Sequence, residues 1–477
     1  MTTPTSRGLY SEQELERIYR AALRVLGEMG MRVENRPCLE AMERFGARVD
    51  YPRERAIFPR EVIERALEMA RTQDPTWRRG FRLLDPGYEC GGDGACPFYY
   101  SERNGDRRRA TEADCIEALK IVEASGVTHS GLPTLNGDVG HKYEAIRCLE
   151  LAIETLDHTV IGGTDLFFPE QVPFVVELGR LYRNDPGWFL PGANCITSPL
   201  TIGKTIADLA VAKAPYSTRS YIAPPMPVMG ANSPMTPAGT AVVGVAEILG
   251  SYVLAKSLNP ETRVGALALC ALMDMQQGHM VFCAPEVLDA DIAICETMER
   301  VLGLPCQAYG GYVDAKLPGM RAVREKLFRS LGPALYSGMT GFSGALDQGK
   351  VFSPTQMMLD QDLHDFLARY LARPVVNDET LGVDAIVEIG WDRTGYLTHG
   401  HTRKHMRETW RSRIYERTPW LSMADECSKE ASYLERARQQ WQDRLASYRP
   451  PSHPEGFLRE LRKISASARQ ALAGIRA

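Results

Sequence analysis

Three of the nine histidines in this chain fall close together in the segment LTHGHTRKHMR, as His399, His401 and His405. Two imidazoles at alternate positions of an extended segment project from one face, and a third nearby can complete a zinc or iron site. A metal-activated water there would make the chain a metal-dependent hydrolase. The competing reading is a basic surface helix capped by Thr402, with its imidazoles engaged in hydrogen bonds. Asp384, Glu388 and Asp392 stand upstream without ligand-like spacing to these histidines, so no tightly bound catalytic metal is expected. A second cluster is aromatic. Phe98, Tyr99 and Tyr100 read as a strand with Phe98 and Tyr100 on one face and Tyr99 on the other. Aromatic faces attract quaternary ammonium ions at roughly 0.5–2 kcal/mol each. The same three residues can equally pack as an aromatic hairpin.

Further polar candidates stand in loops that follow short apolar runs. They are Asn136 and Asp138, Thr164 and Asp165, Asn194 and Ser198, and Asn232 and Ser233. Later loops add Asp274, Tyr312 with Asp314 and Lys316, Asp347 with Gln348, and Asp378 with Glu379. Asn, Asp and Ser also dominate turns and helix caps for backbone reasons, so each has a purely structural alternative. GGDGAC (91–96) is glycine-rich but opens no Rossmann unit, and no Walker A or GxSxG motif occurs. His364 lies alone in a helical stretch.

What must position these residues is a repeated unit of short apolar run, loop and amphipathic helix. The runs start near Thr128, Thr159, Gly192, Tyr221, Thr262, Pro305, Met339 and Pro374. Runs too short for helices alternate with stretches too long for strands, which indicates βα units on a parallel sheet. Eight such units over about 250 residues match a (β/α)8 TIM barrel, whose chemistry sits at the C-terminal ends of its strands. The expected organisation is α/β. A helical and hairpin extension covers 1–125, the barrel 126–415 and a helical extension 416–477, with both extensions packed on the barrel. Ser11 with Glu14 predicts a capping box opening a helix to Gly30. Proline at the first helical position predicts helices over 37–45 and 59–70. Phe98 to Thr111 reads as a hairpin turning at Asn104-Gly105, and Thr111 caps the helix after it. Trp420–Ala446 and Glu455–Ala477 read as Arg- and Glu-rich helices.

Composition is ordinary for a globular protein, with 44% hydrophobic and 24% charged residues. A net charge of −4 argues against nucleic acid or an anionic membrane as the main partner. The first residues lack the apolar stretch of a signal peptide, and the longest apolar stretch, Thr240 to Ala255, is interrupted by Glu247. Eleven cysteines are scattered without a CxxC pair, which reads as free thiols in a cytoplasmic protein.

Several stretches, in order, resemble the trimethylamine methyltransferase family and in particular its non-pyrrolysine, quaternary-amine (glycine betaine-type) members. They include RVLGEMGMRVEN, FGARVDYPRERAIFPREVIERAL, MGANSPMTPAGTAVVGVAEILGSYVLAKSLNP and YGGYVDAKLPGMRAVREKLFRSLGPALYSG. The likeness continues through VFSPTQMMLDQDLHDFLARYL and VVNDETLGVDAIVEIGWDRTGYLTHGHTRKHMRETWRSRIYER, and so covers nearly the whole chain. The resemblance implies a (β/α)8 barrel that moves a methyl group from an amine to Co(I) of a separate corrinoid protein. Trimethylamine enzymes of the family carry pyrrolysine, and this chain has only the twenty standard residues. The implied substrate is therefore a quaternary amine such as a betaine, carnitine or choline-like compound. No tightly bound cofactor, nucleophile or base of the chain's own is expected, and a homo-oligomer is. A fixed cation cannot accept a hydrogen bond, so Phe98, Tyr99, Tyr100, Tyr312 and Phe342 are the candidates to surround it. Lys316, His399 or His401 can hold a substrate carboxylate. Asn232, Asp314, Gln348 and Glu379 complete the candidate binding set. A barrel that binds an osmolyte-like ligand without turnover is a third reading.

Overall fold

The computed structural model describes residues 8–72, 88–90, 96–101, 105–190, 195–216, 221–222, 224–337, 343–372, 374–392, 394–420 and 422–473. Its centre is the helix Pro237–Leu258, apolar on nearly every side, and this is why protein covers it all round. It is long and apolar enough to cross a membrane, yet most of it is buried within the chain. The helices Glu12–Glu28, Arg36–Arg44, Arg60–Arg71 and Pro285–Glu296 all pack against it. Approach is close: a Cβ at Gly250 would stand 2.0 Å from Met31 Sδ.

The N-terminal helices begin at or within one residue of where the sequence places them. Ser11 and Glu14 form a complete capping box on Glu12–Glu28, and Thr111 with Asp114 does the same for Glu112–Ala124. Asn35 caps Arg36–Arg44, one residue ahead of the expected start. Pro59 stands at the cap of Arg60–Arg71 rather than inside its first turn. The hairpin is present as Phe98–Ser101 paired antiparallel with Asp106–Arg109, Phe98 opposite Arg109. Asn104, half of the expected turn, lies outside the described residues.

Short parallel strands alternate with helices through the middle of the chain. Tyr88–Cys90, Val127–Ser130 and Val160–Ile161 form one parallel sheet. Tyr221–Ile222, Val264–Ala268 and Cys306–Ala308 form another. The hairpin Ala345–Leu346 with Val351–Phe352 joins the parallel neighbour Phe98–Ser101. Among the described residues no sheet closes on itself, so the structure is mixed α/β and the barrel is not among its pairings. Two expectations are corrected. The run at Pro374 makes no strand: 374–377 are irregular and Asp378–Leu381 is helical, because Asn377 accepts the Thr380 N–H as an N-cap. A strand the sequence reading missed, Tyr88–Cys90, pairs with Val127–Ser130 from within the stretch assigned to the extension.

Both ends dock on the middle. Glu455–Ala473 packs against His141–Thr155 and Val172–Arg183, and Met423–Ser447 against Pro354–Leu371 and Glu112–Ala124.

Glu247, inside the central helix, has no exposed surface and accepts the Leu200 N–H and the Ser198 hydroxyl, each at 2.8 Å. Burial pushes its pKa up to about 7, against which those two hydrogen bonds work. The folded chain therefore holds a proton that the unfolded chain releases near its ordinary value of 4.5. Stability contributed by this group is fully present below about pH 4.5 and is lost as pH rises through 7. Glu247→Gln can keep both contacts without the charge. It is expected to leave stability at pH 5 near wild type and to raise it at pH 8 by about 1–2 kcal/mol, read from melting curves at the two pH values.

Candidate substrate site

The strand Cys306–Ala308 ends in the loop YGGYVDAK (309–316), and this loop is held from beneath by one helix. Met320–Ser337 presents Glu325, Lys326 and Arg329 to it, Arg329 lying one turn beyond the adjacent pair Glu325 and Lys326. Arg329 Nη2 donates to the Tyr309 carbonyl at 2.5 Å, and Lys326 Nζ to the Gly311 carbonyl at 2.9 Å. Glu325 Oε2 accepts the N–H groups of Asp314 at 2.8 Å and Ala315 at 2.7 Å. The two buried cations are neutralised in turn. Arg329 pairs with Asp291 at 2.8 Å, both side chains fully buried, and Lys326 pairs with Asp360 at 3.2 Å. Burial pushes the Asp291 carboxyl up, with the Arg329 charge opposing it. From the other side, the Asp347 and Gln348 N–H groups donate to the carbonyls of Ala315 and Val313 at 2.8 and 2.7 Å.

So fixed, the loop displays aromatic rings. Tyr312 meets Tyr309 with centroids 4.8 Å apart at 77°, and Phe282 at 5.2 Å and 78°. Met226, Met273 and Met280 pack into the same apolar cluster. Tyr309 Oη is buried and has no hydrogen-bond partner among the described residues. Gly349, at φ +78°, lets the adjoining turn approach: a Cβ there would stand 2.2 Å from the Tyr312 ring. Edge-to-face rings with soft thioether sulfurs present negative faces and polarisable atoms to a cation, without a hydrogen-bonding demand it cannot meet.

Charged groups stand next to this cluster. Asp347 pairs with Lys316, and with Arg107 at 2.9 Å. Burial is the largest influence and works against its ionisation, but Lys316, Lys350 and Arg107 together outweigh it and hold the carboxyl below the ordinary range. Gln348 Nε2 donates to the Met280 carbonyl at 2.5 Å. Asp314 accepts the Phe282 and Cys283 N–H groups at 2.8 to 3.0 Å. Cys283, Asp314 and Glu325 bring their donor atoms within 4.8 Å, a spacing a metal ion could use. Their oxygens already accept hydrogen bonds, from backbone N–H groups and, at Glu325 Oε1, from Arg321, and burial pushes the Cys283 thiol up to about 12. The set acts as a clamp on the loop.

Tyr312, Asp314, Lys316 and Gln348 thus meet, and the Phe98 strand borders them. The face of Phe98 carries the Arg107 guanidinium at 4.5 Å, so an internal cation already uses that ring. Tyr100 packs with Phe98 in the adjoining cluster. Tyr99 points the other way, as its alternation predicts: it is buried against Phe352, and its hydroxyl donates to Glu117 at 2.5 Å. Phe342 lies outside the described residues, as does Asn194. Asn232 is a turn clamp that accepts the Val228 N–H at 2.6 Å and donates to the Ser198 carbonyl at 3.2 Å. Asp138 accepts the Glu112 N–H at the start of a helix, and Asp274 accepts two N–H groups of its own turn.

The histidine cluster is not on a strand. His399 caps the short helix Gly400–His405, which places His401 and His405 four apart with ring centroids 4.5 Å from each other. Their partners are local: His401 Nε2 meets the Glu379 carbonyl at 3.0 Å, His405 Nδ1 meets Glu408 at 2.9 Å and His399 meets Glu388 at 3.4 Å. None of these contacts reaches the aromatic cluster. The capped basic helix is what forms, because His399 supplies the cap that a strand would have no use for. Sequence reasoning missed Tyr309, Phe282 and the lysine and arginine beneath the loop. The spacing of YGGY was visible, but its buried support was not.

A mixed α/β chain thus carries an aromatic and thioether cluster beyond the end of a parallel strand. The trimethylamine methyltransferase (MTTB) profile matches residues 3–473. The chain belongs to the trimethylamine methyltransferase family. It is 25% identical to the glycine betaine methyltransferase of Desulfitobacterium hafniense (strain Y51) over 469 residues, covering 93% of each chain. It is 26% identical to the trimethylamine methyltransferase of Methanosarcina barkeri (strain Fusaro / DSM 804) over 406 residues, covering 80% of each. A trimethylamine methyltransferase of Desulfitobacterium hafniense (strain DSM 10664 / DCB-2) matches at 25% over 490 residues, 95% of this chain and 92% of the relative. The hydrolase reading finds no support in either the histidine geometry or these relatives.

Proposed function

We propose that the chain transfers a methyl group from a quaternary amine to the Co(I) of a separate corrinoid protein, which serves as the acceptor substrate. The observation that carries the reading is the cluster of Tyr309, Tyr312 and Phe282 on its braced loop, a surface suited to a cation without N–H donors. Membership of the family and the glycine betaine relative support the reaction class. The electrons balance simply. The acceptor's electron pair forms the new bond to carbon, the C–N pair returns to nitrogen, and a neutral tertiary amine leaves without a proton. The chain's task is then orientation and exclusion of water. Tyr309 and Tyr312 hold the cation, and Lys316 and Arg107 are placed to attract a carboxylate on the same substrate.

The parallel pairs support a single barrel as the architecture. Its strands begin with Tyr88–Cys90 and include Val127–Ser130, Val160–Ile161, Tyr221–Ile222, Val264–Ala268 and Cys306–Ala308. The runs at Gly192 and Met339 include residues 192–194 and 339–342, which lie outside the described residues. The barrel unit would then run from Tyr88 to Leu371.

The test is incubation of the chain with a reduced corrinoid protein and, separately, glycine betaine, carnitine, choline and trimethylamine, with methylation of the acceptor followed by absorbance. The expected result is turnover with at least one quaternary compound and little with trimethylamine. Efficient trimethylamine demethylation with no quaternary amine accepted would overturn the proposal.

A further inference from the structure

Between the last long helix of the middle region, Pro354–Leu371, and residue 411 the chain forms helices that enclose almost nothing. Among the described residues of 374–410 only Ala385 is buried. Yet the segment is ordered into helical turns: Asp378–Leu381, Val383–Ile389, Gly395–Thr398 and Gly400–His405. It is fastened to the rest at its far end. Phe366 meets Trp410 edge-on at 5.4 Å, Arg369 donates to the Glu408 carbonyl at 3.1 Å, and Asp362 accepts from Ser412 and Arg413 at 2.8 and 2.9 Å. Inside the segment the ties are polar, such as Lys404 with Glu379.

Its outer surface is apolar. Val383, Ile386 and Val387 stand exposed on one short helix, Trp391 is fully exposed after it, and Leu397 is 79% exposed. Isolated helices of this length are marginal in water without an apolar face to bury, since their stability comes from packing. The exposed apolar side chains from Val375 to Met406 together present on the order of 1,000 Å². One face of a stable dimer needs about 800 Å².

The charge pattern says which partner. Residues 375–392 hold five Asp or Glu and no Lys or Arg. Residues 393–410 hold four Lys or Arg and one Glu. The arm is thus −5 in its first half and +3 in its second, with apolar surface along both. A two-fold axis brings the first half of one copy against the second half of another, and each copy then meets its own complement. A partner of a single charge sign would be attracted by one half and repelled by the other.

We infer that the arm 374–410 is the face on which a second copy of this chain docks, acidic half to basic half. The inference is independent of the methyl-transfer reading, and its test reads mass rather than activity. The wild-type chain should run as an even multiple of the monomer in analytical ultracentrifugation at micromolar concentration. Val387→Glu with Trp391→Glu should lower that mass while leaving the melting temperature of the rest of the fold in place, because these side chains touch little within their own chain. A charge exchange tests the pairing itself. Asp384→Lys with Glu388→Lys, and separately Arg403→Glu with Arg407→Glu, should each weaken association, and mixing the two variants should restore it. A monomeric wild type, arm variants of unchanged mass, or no recovery on mixing would overturn the inference. If the wild type is monomeric and the arm variants instead lose binding to a corrinoid protein, the surface belongs to that partner and the inference falls.

Discussion

Replacing Arg329 by methionine is expected to lower the stability of the chain by about 3–5 kcal/mol, because the Asp291 carboxylate would be left buried without its partner. The magnitude follows from complete burial of both side chains. The substitution removes a second contact as well, the hydrogen bond to the Tyr309 carbonyl. Two readouts separate these effects. A melting curve reports the lost pair, and methyl transfer by the fraction that stays folded at low temperature reports the loosened loop. Changing both partners, Arg329→Met with Asp291→Leu, should recover much of the stability, since an apolar pair of similar volume avoids burying charge. It should not recover transfer, since nothing then holds the carbonyl of Tyr309. If the double variant transfers methyl groups as well as wild type, the buried pair has no part in positioning the loop.

Tyr309→Leu with Tyr312→Leu is expected to reduce methyl transfer from a quaternary amine roughly 100-fold at subsaturating substrate, the summed contribution of two π faces to holding a cation. Tyr312→Phe should stay near wild type, because the ring is kept and only the hydroxyl is lost. The comparison matters more than the first number. Leucine also changes packing against Phe282, so a loss shared by leucine and phenylalanine variants would point to geometry rather than to the π face. Retention of full activity by the double leucine variant would remove the cluster from the site. Phe98→Leu is expected to act weakly by comparison, since the face of that ring already carries Arg107.

Local structure was readable from the sequence wherever local chemistry decides it. Ser11 with Glu14, and Thr111 with Asp114, satisfy N–H groups within one turn of chain, so their helices start where the residues say. The alternation of Phe98, Tyr99 and Tyr100 follows from the pleat alone. The family was legible too, because it rests on many stretches in order rather than on any one contact.

What tertiary structure decided are choices between two locally acceptable outcomes. Val375 and Val376 suit a strand, but among the described residues no strand pairs with them, and Asn377 closes a cap that turns the chain into a helix instead. Tyr88–Cys90 is too short to announce itself and becomes a strand only because Val127–Ser130 offers hydrogen bonds beside it. The histidines read equally as ligands or as helix surface until His399 is seen to cap Gly400–His405. The candidate site divides in the same way. Tyr312 and Gln348 were visible as aromatic and polar residues in loops. Their meeting depends on Arg329, Lys326 and Glu325, charged side chains that sequence alone assigns to solvent. Burying them becomes favourable only where Asp291, Asp360 and the loop's own backbone groups wait to receive them, and that arrangement exists only in the folded chain.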